Sequence, residues 1–108
     1  MTRKEHVNRN NKFFVMNALD EKEILDNLSK VSKWVHNNGY LEREIEFSKY
    51  LDSIEFINKV AIIAEKQDHH PKLTSNFKSL LIQLTTHDVK GISQKDFQLA
   101  KAIDTLKL

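Results

Sequence analysis

The histidines and carboxylates of this chain that are spaced to do chemistry gather between Glu65 and Asp96. Glu65-Lys66-Gln67-Asp68-His69-His70-Pro71 is followed by Thr85-Thr86-His87-Asp88 and then by Asp96, and three of the five histidines lie in this span. Imidazole is the side chain whose ordinary titration falls near neutrality, so histidines grouped with carboxylates suit general acid–base catalysis. Glu65 and His69 stand four apart, the spacing of neighbours on a helix surface, which sets Glu65 to orient the His69 ring. Read alone, the same pair is an ordinary surface ion pair. Metal binding is the competing chemistry, because His69, His70 and His87 with a carboxylate would offer three ligands and an open position. The spacing matches neither H-E-x-x-H nor a cysteine-pair pattern. There is no cysteine, so thiolate ligands and thiol catalysis are excluded. With two glycines there is no Gly-rich phosphate loop, and neither G-x-x-x-x-G-K-S/T nor G-x-S-x-G occurs.

The elements that must position these residues are legible in outline. Asp20 with Glu23 forms a capping-box pattern, and Leu19 with Ile24 a hydrophobic staple, opening a helix over about 20–31 with Ile24, Leu28 and Val31 as its stripe. Trp34-Val35-His36 reads as a strand and Asn37-Asn38-Gly39 as a turn. Leu41, Arg43, Ile45 and Phe47 alternate with Glu42, Glu44 and Glu46, the pattern of a two-faced strand. From about Tyr50 the period becomes helical, with Ser53, Phe56, Ile57, Val60, Ala61 and Ala64 on one face. The run Val60-Ala61-Ile62-Ile63-Ala64 is apolar all round, as expected of a helix covered on two sides, with a second subunit as a natural source of the second cover. Pro71 stops this helix near His69 and disfavours the helical region at His70, so the two imidazoles are expected to face one cavity. A second hairpin, 73–77 and 79–85, leads to a loop at 87–91. Ser93 then caps a last helix with Asp96 at its third position and Phe97, Ala100, Ile103 and Leu106 as its stripe. The order α-β-β-α-β-β-α predicts a single α+β domain, a four-stranded antiparallel sheet with helices on one face.

Composition narrows the function classes. Length fits one domain, and 40% hydrophobic with 30% charged residues is an ordinary soluble balance. A formal charge of +2 does not predict nucleic-acid binding. Arg3, Lys4, Arg9 and Lys12 place some basic excess in residues 1–16, which show no period and are expected to form a flexible extension before a domain at 17–108. No apolar run approaches the length of a membrane span, and the expected compartment is the cytoplasm.

Taken together, Glu65–Pro71, the aromatic at Phe77, Thr85–Asp88, Gly91 and Asp96 resemble the pterin-4a-carbinolamine dehydratases, also called dimerisation cofactor proteins. Trp34, Phe47, Tyr50, Phe56, Val60 and Ala64 are similar to that family's aromatic and small core positions, and the resemblance covers about residues 17–106. Ser53, where alanine is usual, and Lys72, where an acid is common, depart from it. The resemblance implies loss of water from a 4a-hydroxytetrahydropterin to give the quinonoid dihydropterin, in tetrahydrobiopterin recycling, with no cofactor and no metal. It implies that His69, His70 and His87 are catalytic; our own expectation is that His69 and His87 are the acid–base groups and that His70 positions the pterin. Glu65 would support His69, and Asp96 would support His87 while capping its helix. Pro71, Thr86, Asp88 and Val89 join the histidines as the expected pterin pocket. A homodimer or homotetramer is implied, and some members bind a transcription factor. The alternative function is therefore a non-catalytic dimerisation or regulatory cofactor on the same fold.

Overall fold

The structure, a computed structural model, describes residues 3–7 and 13–108. Of the expected extension 1–16, residues 1, 2 and 8–12 lie outside the described residues. The remainder pair as an antiparallel ladder, β1 (Arg3–Val7) with β2 (Phe13–Asn17). Sequence reading had no strand there, because neither segment shows a period of two.

After this ladder come α1 (Glu21–Leu28), β3 (Val35–Asn37), β4 (Tyr40–Glu46), α2 (Tyr50–Gln67), β5 (Lys72–Asn76), β6 (Ser79–Leu84), a 3-10 turn (His87–Val89) and α3 (Gln94–Asp104). The order α-β-β-α-β-β-α is therefore as expected, and the four strands form an antiparallel sheet in the order β3-β4-β6-β5. The register explains why the sheet has one dry face. Leu41, Arg43 and Ile45 of β4 stand opposite Leu84, Ile82 and Leu80 of β6, and all six are buried. The residues between them, Glu42, Glu44 and Glu46 against Gln83, Leu81 and Ser79, are half-buried or exposed. A period of two thus sorts the acids to one side and the core to the other. The core is completed from the helices by Ile24, Phe56, Val60, Phe97, Ala100 and Ile103.

Both expected capping boxes are present. Asp20 Oδ1 accepts from the Glu23 N–H while Glu23 Oε1 accepts from the Asp20 N–H, and Ser93 with Asp96 does the same at α3. Such a cap is worth about 1 kcal/mol. Helix α1 ends at Leu28, short of the expected 31, and the chain continues in turns that still bury Val31 and Trp34. Ser53 has a use that alanine would lack: its hydroxyl donates to the Tyr50 and Phe77 carbonyls, tying α2 to the β5–β6 turn.

Arg43, which interrupts the apolar face of β4, is buried, and its Nη1 donates to Asp104 Oδ1 at 2.7 Å. The same oxygen accepts from Trp34 Nε1 at 2.8 Å. Asp104→Ala would strand both donors, and a buried cation that loses its partner costs about 3–5 kcal/mol. The expected outcome is a fall in unfolding free energy at the lower end of that range, because Asp104 is partly open to water. Urea titration followed by the single tryptophan reads it directly.

In the single chain the 60–64 segment is covered on one side only. Val60 and Ala64 are buried, but Ile62 is 58% exposed and Leu51, three turns earlier on the same face, 73% exposed. One flank of α2 packs on the sheet and α3, and the other is open in the single chain. Among the described residues no helix is long and apolar enough to cross a membrane.

Candidate active site

The site is built where α2 ends. The helix stops at Gln67, earlier than Pro71 alone would require, because Asp68 takes the left-handed conformation (φ 50, ψ 44). The Asp68 and His69 N–H groups turn back to the Glu65 and Ala64 carbonyls at 3.3 and 3.1 Å. A left-handed residue at a helix end is usually glycine, and aspartate is among the few others that accept it. This geometry changes which carboxylate meets which imidazole. Continuing the helix would have stacked His69 on Glu65. Reversal at Asp68 instead brings His70 back to Glu65, Nε2 to Oε2 at 2.6 Å, and sends His69 inward to Asp96, Nε2 to Oδ1 at 2.5 Å.

The two pairs differ in environment. His70 and Glu65 are both exposed, so their pairing is worth at most about 1 kcal/mol. Glu65→Gln is accordingly expected to change the unfolding free energy by less than about 1 kcal/mol, measured by chemical denaturation. His69 is 11% exposed and Asp96 0%. Asp96 is held by three donors at once: His69 Nε2 on Oδ1, and the Thr86 hydroxyl (2.7 Å) and the Ser93 N–H (2.9 Å) on Oδ2. Thr86 Oγ1 and Ser93 Oγ are also within 2.7 Å of each other, so the buried polar cluster is fully connected. A carboxylate that is ionised can only accept, and in that case His69 Nε2 donates and Nδ1 is the uncommitted ring nitrogen.

The expectation that Asp96 supports His87 is corrected. Alternation past β6 turns Thr86 inward, to Ser93 and Asp96, and His87 outward, where it opens the 3-10 turn and is exposed. His69, His70, Thr86, His87 and Asp88 line one cleft of about 350 Å³. Neither Glu65 nor Asp96 lines it: Asp96 is buried behind His69, and Glu65 is exposed outside it. Pro71 and Val89, expected in the pocket, do not line it. Pro71 is half-buried beside β5, and Val89 is 2% exposed and anchors the turn in the core. Three lining residues were not expected in the pocket: Asp68 and Thr85, which lie inside the singled-out stretches, and Lys95. Lys95 was findable only as the sequence neighbour of Asp96, since adjacent helical residues point about 100° apart. Asp68 was not, because nothing local marks an aspartate for the left-handed cap. Among the described residues, no three His, Cys, Asp or Glu side chains converge as metal ligands would, since His69 and His70 are turned to different carboxylates.

Comparison with known proteins points the same way. Residues 17–106 match the family model described as pterin 4 alpha carbinolamine dehydratase. A protein of Sulfolobus acidocaldarius named "Putative pterin-4-alpha-carbinolamine dehydratase" is 36% identical over 89 residues, which is 82% of this chain and 98% of that protein. One of Solibacter usitatus with the same name is 42% identical over 88 residues, 82% of this chain and 93% of that one. A crystal structure from Brucella melitensis, titled as a transcriptional coactivator/pterin dehydratase, superposes with a TM-score of 0.79 at 25% identity, over 82% of this chain and 97% of the other.

Proposed function

The chain belongs to the pterin 4 alpha carbinolamine dehydratase family, and from that premise we propose that it removes water from a 4a-hydroxytetrahydropterin by histidine acid–base catalysis. The reaction breaks the C4a–O bond, with a proton delivered to the departing hydroxyl, and takes the proton from the adjacent ring N–H as the double bond forms. Water and the quinonoid dihydropterin are the products, so atoms balance without an oxidant or cofactor. The observation that carries the reading is the buried Asp96–His69 pair on the wall of a cleft that His70 and His87 also line. His69, oriented by Asp96, and His87, free to meet substrate from the opposite limb, are assigned the two proton transfers. His70 is assigned to positioning the pterin, with Thr86 and Asp88 lining the same wall. In a cell this activity returns pterin cofactor after aromatic amino-acid hydroxylation. The test is to supply 4a-hydroxytetrahydropterin and follow ultraviolet absorbance; no acceleration over buffer would sink the assignment.

A regulatory reading on the same fold has one observation in its favour. Leu51 and Ile62 leave an apolar flank of α2 open, and the Brucella neighbour's title names a coactivator. That flank is also the surface we assign to self-association into a dimer or tetramer. Ile62→Lys is then expected to lower the assembly state at micromolar concentration, read by sedimentation velocity, with the fold retained by circular dichroism. An unchanged sedimentation coefficient would remove α2 from the interface.

A further inference from the structure

We propose that the β1–β2 hairpin, which this chain carries ahead of the family-matched residues, is a substrate-positioning element that braces the His87 turn. The turn is anchored by Thr86 and Val89, while its cleft-facing residues are open. It is a single 3-10 turn of three residues, with His87 and Asp88 exposed and Val89 as its one buried side chain. Beyond its own turn bonds, Val89 N–H to Thr86 O and Lys90 N–H to His87 O at 3.1 Å, it closes through one bridge, Thr86 N–H to Gly91 O at 2.9 Å and Gly91 N–H to Thr86 O at 3.4 Å. Lys90 leaves it at φ 56, a left-handed conformation that a residue with a Cβ adopts at a cost. Segments with so few buried contacts open at the low end of a protein's stability range.

The chain entering α1 is laid along the far limb of this loop. The Leu19 N–H donates to the Ile92 carbonyl at 2.7 Å, and a Cβ at Gly91 would stand 3.4 Å from the Ala18 Cβ. Strand β2 runs directly into that contact at Asn17, and β1, its ladder partner, passes beside the 3-10 turn itself. The family model begins only at residue 17, and the Sulfolobus protein is matched over 98% of its length by 82% of this chain. The hairpin is thus an addition to a domain that is otherwise complete, placed against the turn that carries a cleft-lining histidine. A braced turn presents His87 and Asp88 to the pterin in one arrangement; an unbraced one must be ordered by the substrate, which weakens binding more than it slows chemistry.

The kinetic arm of the test rests on the dehydratase reading, and the exchange arm does not. Two variants are compared with the full chain. One is residues 17–108, nearly the extent of the Sulfolobus relative. The other is the full-length Glu5→Pro/His6→Pro, in which one of two successive N–H groups must have faced β2. Hydrogen exchange is expected to quicken about tenfold at the amides of residues 87–91 in both variants, with α3 unaltered. KM for the hydroxypterin is expected to rise about fivefold or more while kcat falls less than twofold. Unchanged protection at 87–91 overturns the proposal whatever the kinetics, and so does a KM that stays put in both variants. No turnover in the full chain would overturn the dehydratase reading instead and leave the exchange result to decide this one.

Discussion

His69→Ala is expected to slow dehydration of a 4a-hydroxytetrahydropterin by about 10²–10⁴-fold, the range that a positioned proton-transfer group supplies. The expectation rests on where the ring is held. His69 is nearly enclosed, its Nε2 is committed to Asp96, and it lines the cleft with one ring nitrogen uncommitted. Alanine removes that nitrogen and leaves Asp96 with two of its three donors, at a further cost of about 1–3 kcal/mol in stability. Stopped-flow absorbance on variants shown to be folded separates the two effects. His87→Ala is expected to act on the rate with little change in stability, because that ring is exposed. Full activity in the doubly substituted protein would refute the assignment of acid–base roles to this pair while leaving family membership untouched.

Asp96→Asn carries the second large effect. The carboxylate accepts from His69, Thr86 and Ser93, and an asparagine of the same shape has a single acceptor oxygen. Whichever way the amide lies, its NH2 meets a donor. If it faces His69, the ring must surrender its Nε2 proton and take the other tautomer, moving the proton to the nitrogen that served the substrate. If it faces Ser93 and Thr86, the cap of α3 is broken. The expected outcome is a kcat lower by at least about 10²-fold together with a loss of roughly 2–3 kcal/mol in unfolding free energy. Nitrogen-15 spectra of the imidazoles report the tautomer. An Asp96→Asn protein with native stability and native rate would show that the pairing is ornamental.

These cases also mark what could be read from the chain before its fold was known. Asp96 was legible as a capping residue, because Ser93-x-x-Asp96 is a local pattern that needs no tertiary contact. Its partner was not, since His69 lies 27 residues away and is brought there by a helix end. Pro71 correctly signalled that α2 must stop, but the stop falls at Gln67 through a left-handed Asp68, and those few residues exchange the partners of His69 and His70. The sheet was legible because alternation in 41–47 and 79–85 shows directly which side chains are buried. Arg43 was the exception within it, and its resolution, a bond to Asp104, spans 61 residues. The N-terminal strands were illegible because neither segment carries the alternation on which a strand assignment depends, and the asparagines between them suit a loop as well as a hairpin turn.

The end of α2 has a consequence beyond aim. Eighteen residues of aligned peptide units terminate at the cleft, and carbonyls of the last turn lack helical partners there. Their summed field is equivalent to about half a negative charge at that end. Asp68 and Asp88 line the same cleft. In the proposed reaction, departure of the hydroxyl leaves the pterin ring cationic until its nitrogen proton is removed, so charge would develop where the backbone already favours it. In the proposed reaction the helix that ends at His69 and His70 would thereby also serve as a fixed counter-charge, in place before the bond breaks and needing no rearrangement when it does.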